Sequence, residues 1–141
     1  MKHKESFLHY LQANYPDNYE HLATQFDAYA SLLEQQNKVQ NLTALPPEAY
    51  YEKHFLDSLL LSEVYEFRDE TLVDVGSGAG FPGMVLAIVF PKLNVTLLEP
   101  TKKRCDFLKL VKKELKLENV TVVNNRAENY EEMREAFDLA T

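Results

Sequence analysis

The sequence is short of glycine, of cysteine and of long apolar runs, and each shortage narrows what it can be. Its 141 residues contain one cysteine, Cys105, so no internal disulfide can form and a reducing compartment fits. The longest apolar run, Met84 to Phe90, is far too short to span a bilayer. The opening Met1-Lys2-His3-Lys4-Glu5 leads into an amphipathic stretch, not the apolar core of a signal peptide. These features predict a soluble cytoplasmic protein. No internal repeat, linker or low-complexity segment is present. With 45% hydrophobic residues the chain can bury a real core, and its length is that of one domain. The formal net charge of −7 argues against a generally basic nucleic-acid binder. The acid is not uniform, however. Residues 102–116 carry Lys102, Lys103, Arg104, Lys109, Lys112, Lys113 and Lys116 against only Asp106 and Glu114. Such a run reads as a solvated helix face or as a contact to RNA phosphates.

Two segments differ in pattern. Residues 1–68 read as helices. Phe7, Leu8 and Leu11 form a short stripe, and Pro16 interrupts it. Leu22, Phe26, Tyr29, Leu32 and Leu33 then recur at three- and four-residue steps, as in an amphipathic helix. Pro46 and Pro47 are placed to start another helix, with Tyr50, Tyr51, Phe55, Leu59 and Leu60 as its apolar positions. Residues 69–141 alternate strand and helix patterns. Strands are expected at Thr71–Val75, Val95–Glu99 and Val120–Val123, with a fourth beginning at Phe137. Helices are expected at Pro82–Phe90 and Thr101–Leu115, and a short one at Glu131–Ala136. This order predicts an α/β fold, a Rossmann-like doubly wound parallel sheet preceded by a helical segment. The sheet stops in its fourth strand, so it reads as truncated, with an edge open to self-association.

Average glycine usage of about 7% would give roughly ten in a chain of this size. There are four, and all fall in Asp74-Val75-Gly76-Ser77-Gly78-Ala79-Gly80-Phe81-Pro82-Gly83. Glycine permits positive φ and lets a ligand approach the backbone. Between a strand and a helix, such a loop faces the crevice where nucleotide-like cofactors bind. Gly78-x-Gly80-x-x-Gly83 matches the dinucleotide fingerprint, and Gly76-x-Gly78-x-Gly80 the tighter loop of methyltransferases. Two residues favour the second. Asp74 would repel a pyrophosphate but suits the cationic groups of S-adenosylmethionine. Pro82 has no amide to offer a phosphate. Glu99, 23 residues after Gly76, can accept hydrogen bonds from both ribose hydroxyls of either ligand. Arg126-Ala127-Glu128 follows the third strand and should line the crevice on the adenine side, unless it is a plain loop.

Asp74 to Gly83, Leu97-Leu98-Glu99 and Lys103-Arg104-x-x-Phe107-Leu108 together resemble the ribosomal RNA small-subunit methyltransferase G family, also called glucose-inhibited division protein B. Asn41-Leu42-Thr43-Ala44, Lys53 to Leu59 and Arg126-Ala127-Glu128 are similar to it as well, in the same order. The resemblance implies a class I methyltransferase fold and an enzyme that methylates guanine N7 in the 530 loop of 16S ribosomal RNA, with S-adenosylmethionine as donor. It implies cofactor contacts from Gly76, Phe81, Glu99, Ala127 and Glu128, and Ser77, Gly78, Gly80, Pro100 and Thr101, next to these along the chain, are candidate contacts as well. It implies no metal and a ribosomal RNA or small-subunit partner. The family continues beyond Thr141 with a segment whose arginine belongs to the site. No catalytic residue is nominated, because guanine N7 has an exposed lone pair and loses no proton on methylation. His54 and Asp57, three apart on one expected helix face, are read as structural or as contacts to the pocket. The alternatives are a nicotinamide-dependent oxidoreductase and a non-catalytic binding fragment.

Overall fold

The computed structural model describes residues 2–125 and 139–140. Two helices open the chain: α1 (Lys2–Asn14) and α2 (Tyr19–Asn37). Pro16 falls in the turn between them, where its ring cannot continue a helix. The α2 stripe is buried as its spacing requires, at Leu22, Phe26, Tyr29 and Leu33. Asn37 ends α2 by folding its side chain back. Its Oδ1 accepts from the amides of Leu42 (2.8 Å) and Thr43 (3.0 Å).

The next helical segment is not regular. A 3₁₀ turn at Pro47–Ala49 runs into a π-helical stretch at Tyr50–Leu56, one α-helical turn α3 (Asp57–Leu59) and a second 3₁₀ turn at Leu60–Glu63. An even helical period places Leu60 with the core residues. The changes of pitch rotate it out, and it is 41% exposed.

The α/β part contains β1 (Thr71–Val75), α4 (Gly83–Val89), β2 (Asn94–Glu99), α5 (Lys102–Leu115), β3 (Val120–Asn124) and β4 (Leu139–Ala140). The sheet order is β3-β2-β1-β4, and every pairing is parallel. Val73 stands beside Thr96 in β2 and Ala140 in β4. The expected short helix at 131–136 lies outside the described residues. Two crossovers in the same direction put α4 and α5 on one face of the sheet.

All seven residues of α4 are buried. A helix apolar on every side needs cover on every side. The sheet covers one, and α2 and α3 pack on the others. One hydrophobic core therefore runs from Phe7 of α1 through Phe26, Tyr29 and Phe55 to Met84, Leu97, Leu108 and Val120. The aromatic residues at its centre meet edge-on or tilted: Phe7 to Phe26 at 4.9 Å, and Phe26 to Phe55 at 5.0 Å. Such pairs add about 0.5–1.5 kcal/mol each beyond area burial.

Two polar details close the base of the sheet. The Asn119 side-chain amide donates to the carbonyls of Ala87, Phe90 and Leu93, at 3.0, 3.2 and 2.9 Å, where α4 ends. Lys116 ends α5 in the left-handed region, with φ +56°. Glycine is the usual residue there, and a side chain costs about 1–2 kcal/mol.

Candidate cofactor site

The glycine loop leaves β1 at the carboxyl edge of the sheet and turns into α4. Its first amides continue the sheet pairing: Gly76 N–H and Ser77 N–H both donate to the Leu98 carbonyl, at 2.8 and 3.3 Å. The loop then turns through left-handed backbone at Gly76 (φ +69°) and Gly78 (φ +58°). These two residues face outward, and a Cβ built on either meets no atom within 4 Å. The next two glycines are needed for packing. A Cβ on Gly80 would strike the Tyr29 hydroxyl and lie 2.9 Å from Met84 Cβ. One on Gly83 would lie 2.6 Å from a Leu97 methyl and 2.8 Å from Asp74 Oδ2. Ser77 is buried, and its hydroxyl donates to the Asp74 carbonyl at 2.9 Å.

Two buried carboxylates hold this loop. Asp74 Oδ2 accepts from Gly83 N–H at 2.9 Å, beneath the loop. Asp74 is only 3% exposed. Glu99 ends β2. Its Oε1 accepts from Gly78 N–H (3.0 Å) and its Oε2 from Thr101 N–H (2.7 Å). One side chain thus joins the glycine loop to the turn that starts α5. A carboxylate has about four acceptor positions, so about two remain. Pro100 and Thr101 are exposed beside it. Cys105 is buried behind, its thiol donating to the Glu99 carbonyl at 3.2 Å. Burial, followed by the Glu99 charge, pushes that thiol's pKa up.

The helical segment meets the loop through rings. Phe81 stacks on His54 at 4.1 Å with planes 5° apart, and on Tyr29 at 5.6 Å and 14°. The Tyr29 hydroxyl donates to the Ala79 carbonyl, so α2 grips the loop by its backbone as well. Burial and then the charge of Asp74 raise the Tyr29 pKa well above its ordinary value, which keeps the hydroxyl a donor. His54 Nε2 and Thr43 Oγ1 share a hydrogen bond of 2.7 Å. Burial lowers the His54 pKa, opposed by the charge of Asp57, and so favours the neutral ring.

Residues 22–141 match the family model described as GidB, rRNA small subunit methyltransferase G. The chain belongs to this family. It is 50% identical over 113 residues to the ribosomal RNA small subunit methyltransferase G of Fusobacterium nucleatum, a match covering 79% of this chain and 49% of that protein. With the protein of the same name from Mycoplasma mycoides it shares 42% identity over 130 residues, 92% of this chain and 93% of that one. The chain thus spans about half the length of the first relative and nearly all of the second. Among solved structures it is similar to a protein-L-isoaspartate O-methyltransferase, with a TM-score of 0.53, 20% identity, and coverage of 88% of this chain and 42% of that one. That likeness shows the class I methyltransferase fold.

Of the candidate contacts, the structure brings Gly76, Gly78, Pro100 and Thr101 to one open edge, with Glu99 buried directly beneath it at 2% exposed. Ser77 and Gly80 belong to the same loop but turn inward, and Phe81 lies half-buried over its far side. Ala127 and Glu128 lie outside the described residues. The Thr43–His54–Phe81–Tyr29 assembly is the feature that spacing along the chain did not reveal. The family strings 41–44 and 53–59 contained Thr43 and His54, but nothing in them announced that Thr43 bonds His54 or that His54 stacks on Phe81. The π-helical stretch Tyr50–Leu56 carries His54, and such stretches recur at functional sites. Among the described residues no cluster of His, Cys, Asp or Glu could hold a metal ion, and no helix is long and apolar enough to cross a membrane.

Proposed function

We propose that this chain binds S-adenosylmethionine at the edge formed by Gly76, Gly78, Glu99, Pro100 and Thr101, as part of a cytoplasmic enzyme that methylates guanine N7 in the 530 loop of 16S ribosomal RNA. The observation that carries the proposal is the pairing of open glycine α-carbons with a strand-end carboxylate in a member of this family. The residues fit the cofactor. Gly76 and Gly78 leave room where a side chain would intrude. Glu99 keeps acceptor capacity for ribose hydroxyls after holding Gly78 and Thr101. Ala127 and Glu128 would complete the adenine side.

When bound, the cofactor supplies an electrophilic methyl group on a sulfonium. The chain's own part is positioning. Guanine N7 needs no base, so the work left to the protein is to hold two partners in line, an effect that can contribute about 7–11 kcal/mol at best. Glu99 ties the loop and the α5 turn into one rigid edge. The Tyr29–Phe81–His54 stack fixes the loop from the opposite side. No proton transfer is assigned to His54.

The nicotinamide reading is disfavoured by the amides at the start of α4. Pro82 has none, Gly83 N–H is taken by Asp74, and Met84 N–H donates to the Gly80 carbonyl at 2.8 Å. Neither the Gly83 nor the Met84 amide is free for a pyrophosphate.

Isothermal titration of the chain with S-adenosylhomocysteine, with NAD in parallel, tests the proposal. Saturable binding of the first alone is expected. Binding of NAD alone would overturn it. Self-association through an outer strand of the sheet, β3 or β4, is the further expectation from the open edge, and sedimentation equilibrium decides it.

A further inference from the structure

The cations of α5 are separated from the rest of the molecule's charge. Residues 102–116 hold seven Lys and Arg against two acids, while the remainder holds eight against twenty. Helix electrostatics account for Lys112 and Lys113, which lie in the last turn, but not for the rest of the run. Cations are favourable near a helix C-terminus and unfavourable near its N-terminus. Yet Lys102, Lys103 and Arg104 occupy the first turn of α5, which has no acid. Lys116 sits where glycine is favoured, in left-handed backbone, and adds another cation at a conformational cost. The buried face of α5 is Cys105, Phe107, Leu108, Val111 and Leu115, so the lysines lie on the opposite, solvent side. Lys102 pairs with Asp106 at 3.0 Å. Lys109, Lys112, Lys113 and Lys116 form no ion pair among the described residues. They converge on a shallow groove with Leu117 and the lone acid Glu118.

From this placement we infer that the outer face of α5 is a track for the phosphate backbone of an RNA, running from the cofactor edge toward the base of the sheet. The inference rests on the proposed function, which supplies the RNA. The helix starts beside Glu99 and Thr101 and is about 21 Å long at 1.5 Å per residue. An RNA whose target base enters the crevice can therefore lay several phosphates along it. Contacts of this kind carry no sequence information but set affinity, register and salt dependence.

The test is fluorescence anisotropy of the chain with two hairpin RNAs of equal length, one with the 530-loop sequence and one with an unrelated loop, across a salt series. The variant is K109Q/K112Q/K113Q, which leaves the strained Lys116 and the cofactor edge intact. The control is K38Q/K92Q, two exposed lysines elsewhere. The expected result is a loss of roughly tenfold or more at low salt for both hairpins, with the slope of log K on log salt reduced by about one per lysine removed. The control should bind as the parent does. Titration with S-adenosylhomocysteine runs alongside and reports the methyltransferase reading separately. If the variant keeps the parent's affinity and slope while the cofactor product still binds, the α5 track is wrong and the function stands. Equal losses in variant and control also overturn the track, and so does a parent chain that binds neither hairpin.

Discussion

Two glycines of one loop answer to different forces. Gly78 has left-handed backbone and empty space beyond its α-carbon, while Gly80 has left-handed backbone and the Tyr29 hydroxyl and Met84 in the way. Gly78→Ala should therefore cost only backbone strain, about 1–2 kcal/mol, yet should weaken S-adenosylhomocysteine binding because its methyl enters the crevice. Gly80→Ala should cost clearly more stability, since strain and overpacking each contribute on the order of 1–3 kcal/mol. Urea unfolding and calorimetric titration of both variants check this. Equal destabilisation with equal affinity loss would mean that the two positions are not divided between ligand and core.

At the scale of the element, the π-helical stretch meets the glycine loop through His54 and Phe55. His54 stacks on Phe81 and bonds Thr43, and burial holds its pKa below the ordinary 6.5. A histidine that resists protonation in the folded state stabilises the fold fully above its unfolded pKa. That contribution is lost as pH falls below about 6.5, because the unfolded chain then binds the proton more readily. Thermal melts between about pH 7.5 and 5.5 should show a fall in stability that is smaller in His54→Gln. A difference between the two proteins that does not change with pH would show that the ring's protonation is not linked to folding.

For the whole molecule, the shared core makes a claim about cooperativity. Residues 1–68 and 69–141 were distinguishable by pattern, but Phe26 of α2 is fully buried in the same cluster as Met84 and Leu97. We propose that the two segments fold as one unit. Phe26→Ala should cost about 3–5 kcal/mol, and circular dichroism and tyrosine fluorescence should report one shifted transition in denaturant. Two separated transitions would mean that the helical segment is a domain of its own.

What could be read along the chain was local. Strand and helix order, the glycine loop and the Glu99 spacing were legible because backbone periodicity and the need for positive φ are written in neighbouring residues. β1 has the expected ends, and those of α4, α5 and β3 differ from the expected ones by a single residue at most. Leu60 was misplaced because a change of helical pitch is not visible in apolar spacing. Asp74 was read by its charge as suited to the ligand, and spacing places a residue near a loop without saying toward which side it turns. The sequence by itself thus determined the order of elements, the family and the loop that borders the crevice. Tertiary structure alone decided that Asp74 bonds Gly83 from beneath and that Glu99 bridges two turns. It also decided that Tyr29 reaches across 50 residues to the Ala79 carbonyl, and that Thr43, His54 and Phe81 meet. The reason is physical: these contacts exist only once the helices have buried their apolar faces against α4, and chain proximity does not encode them.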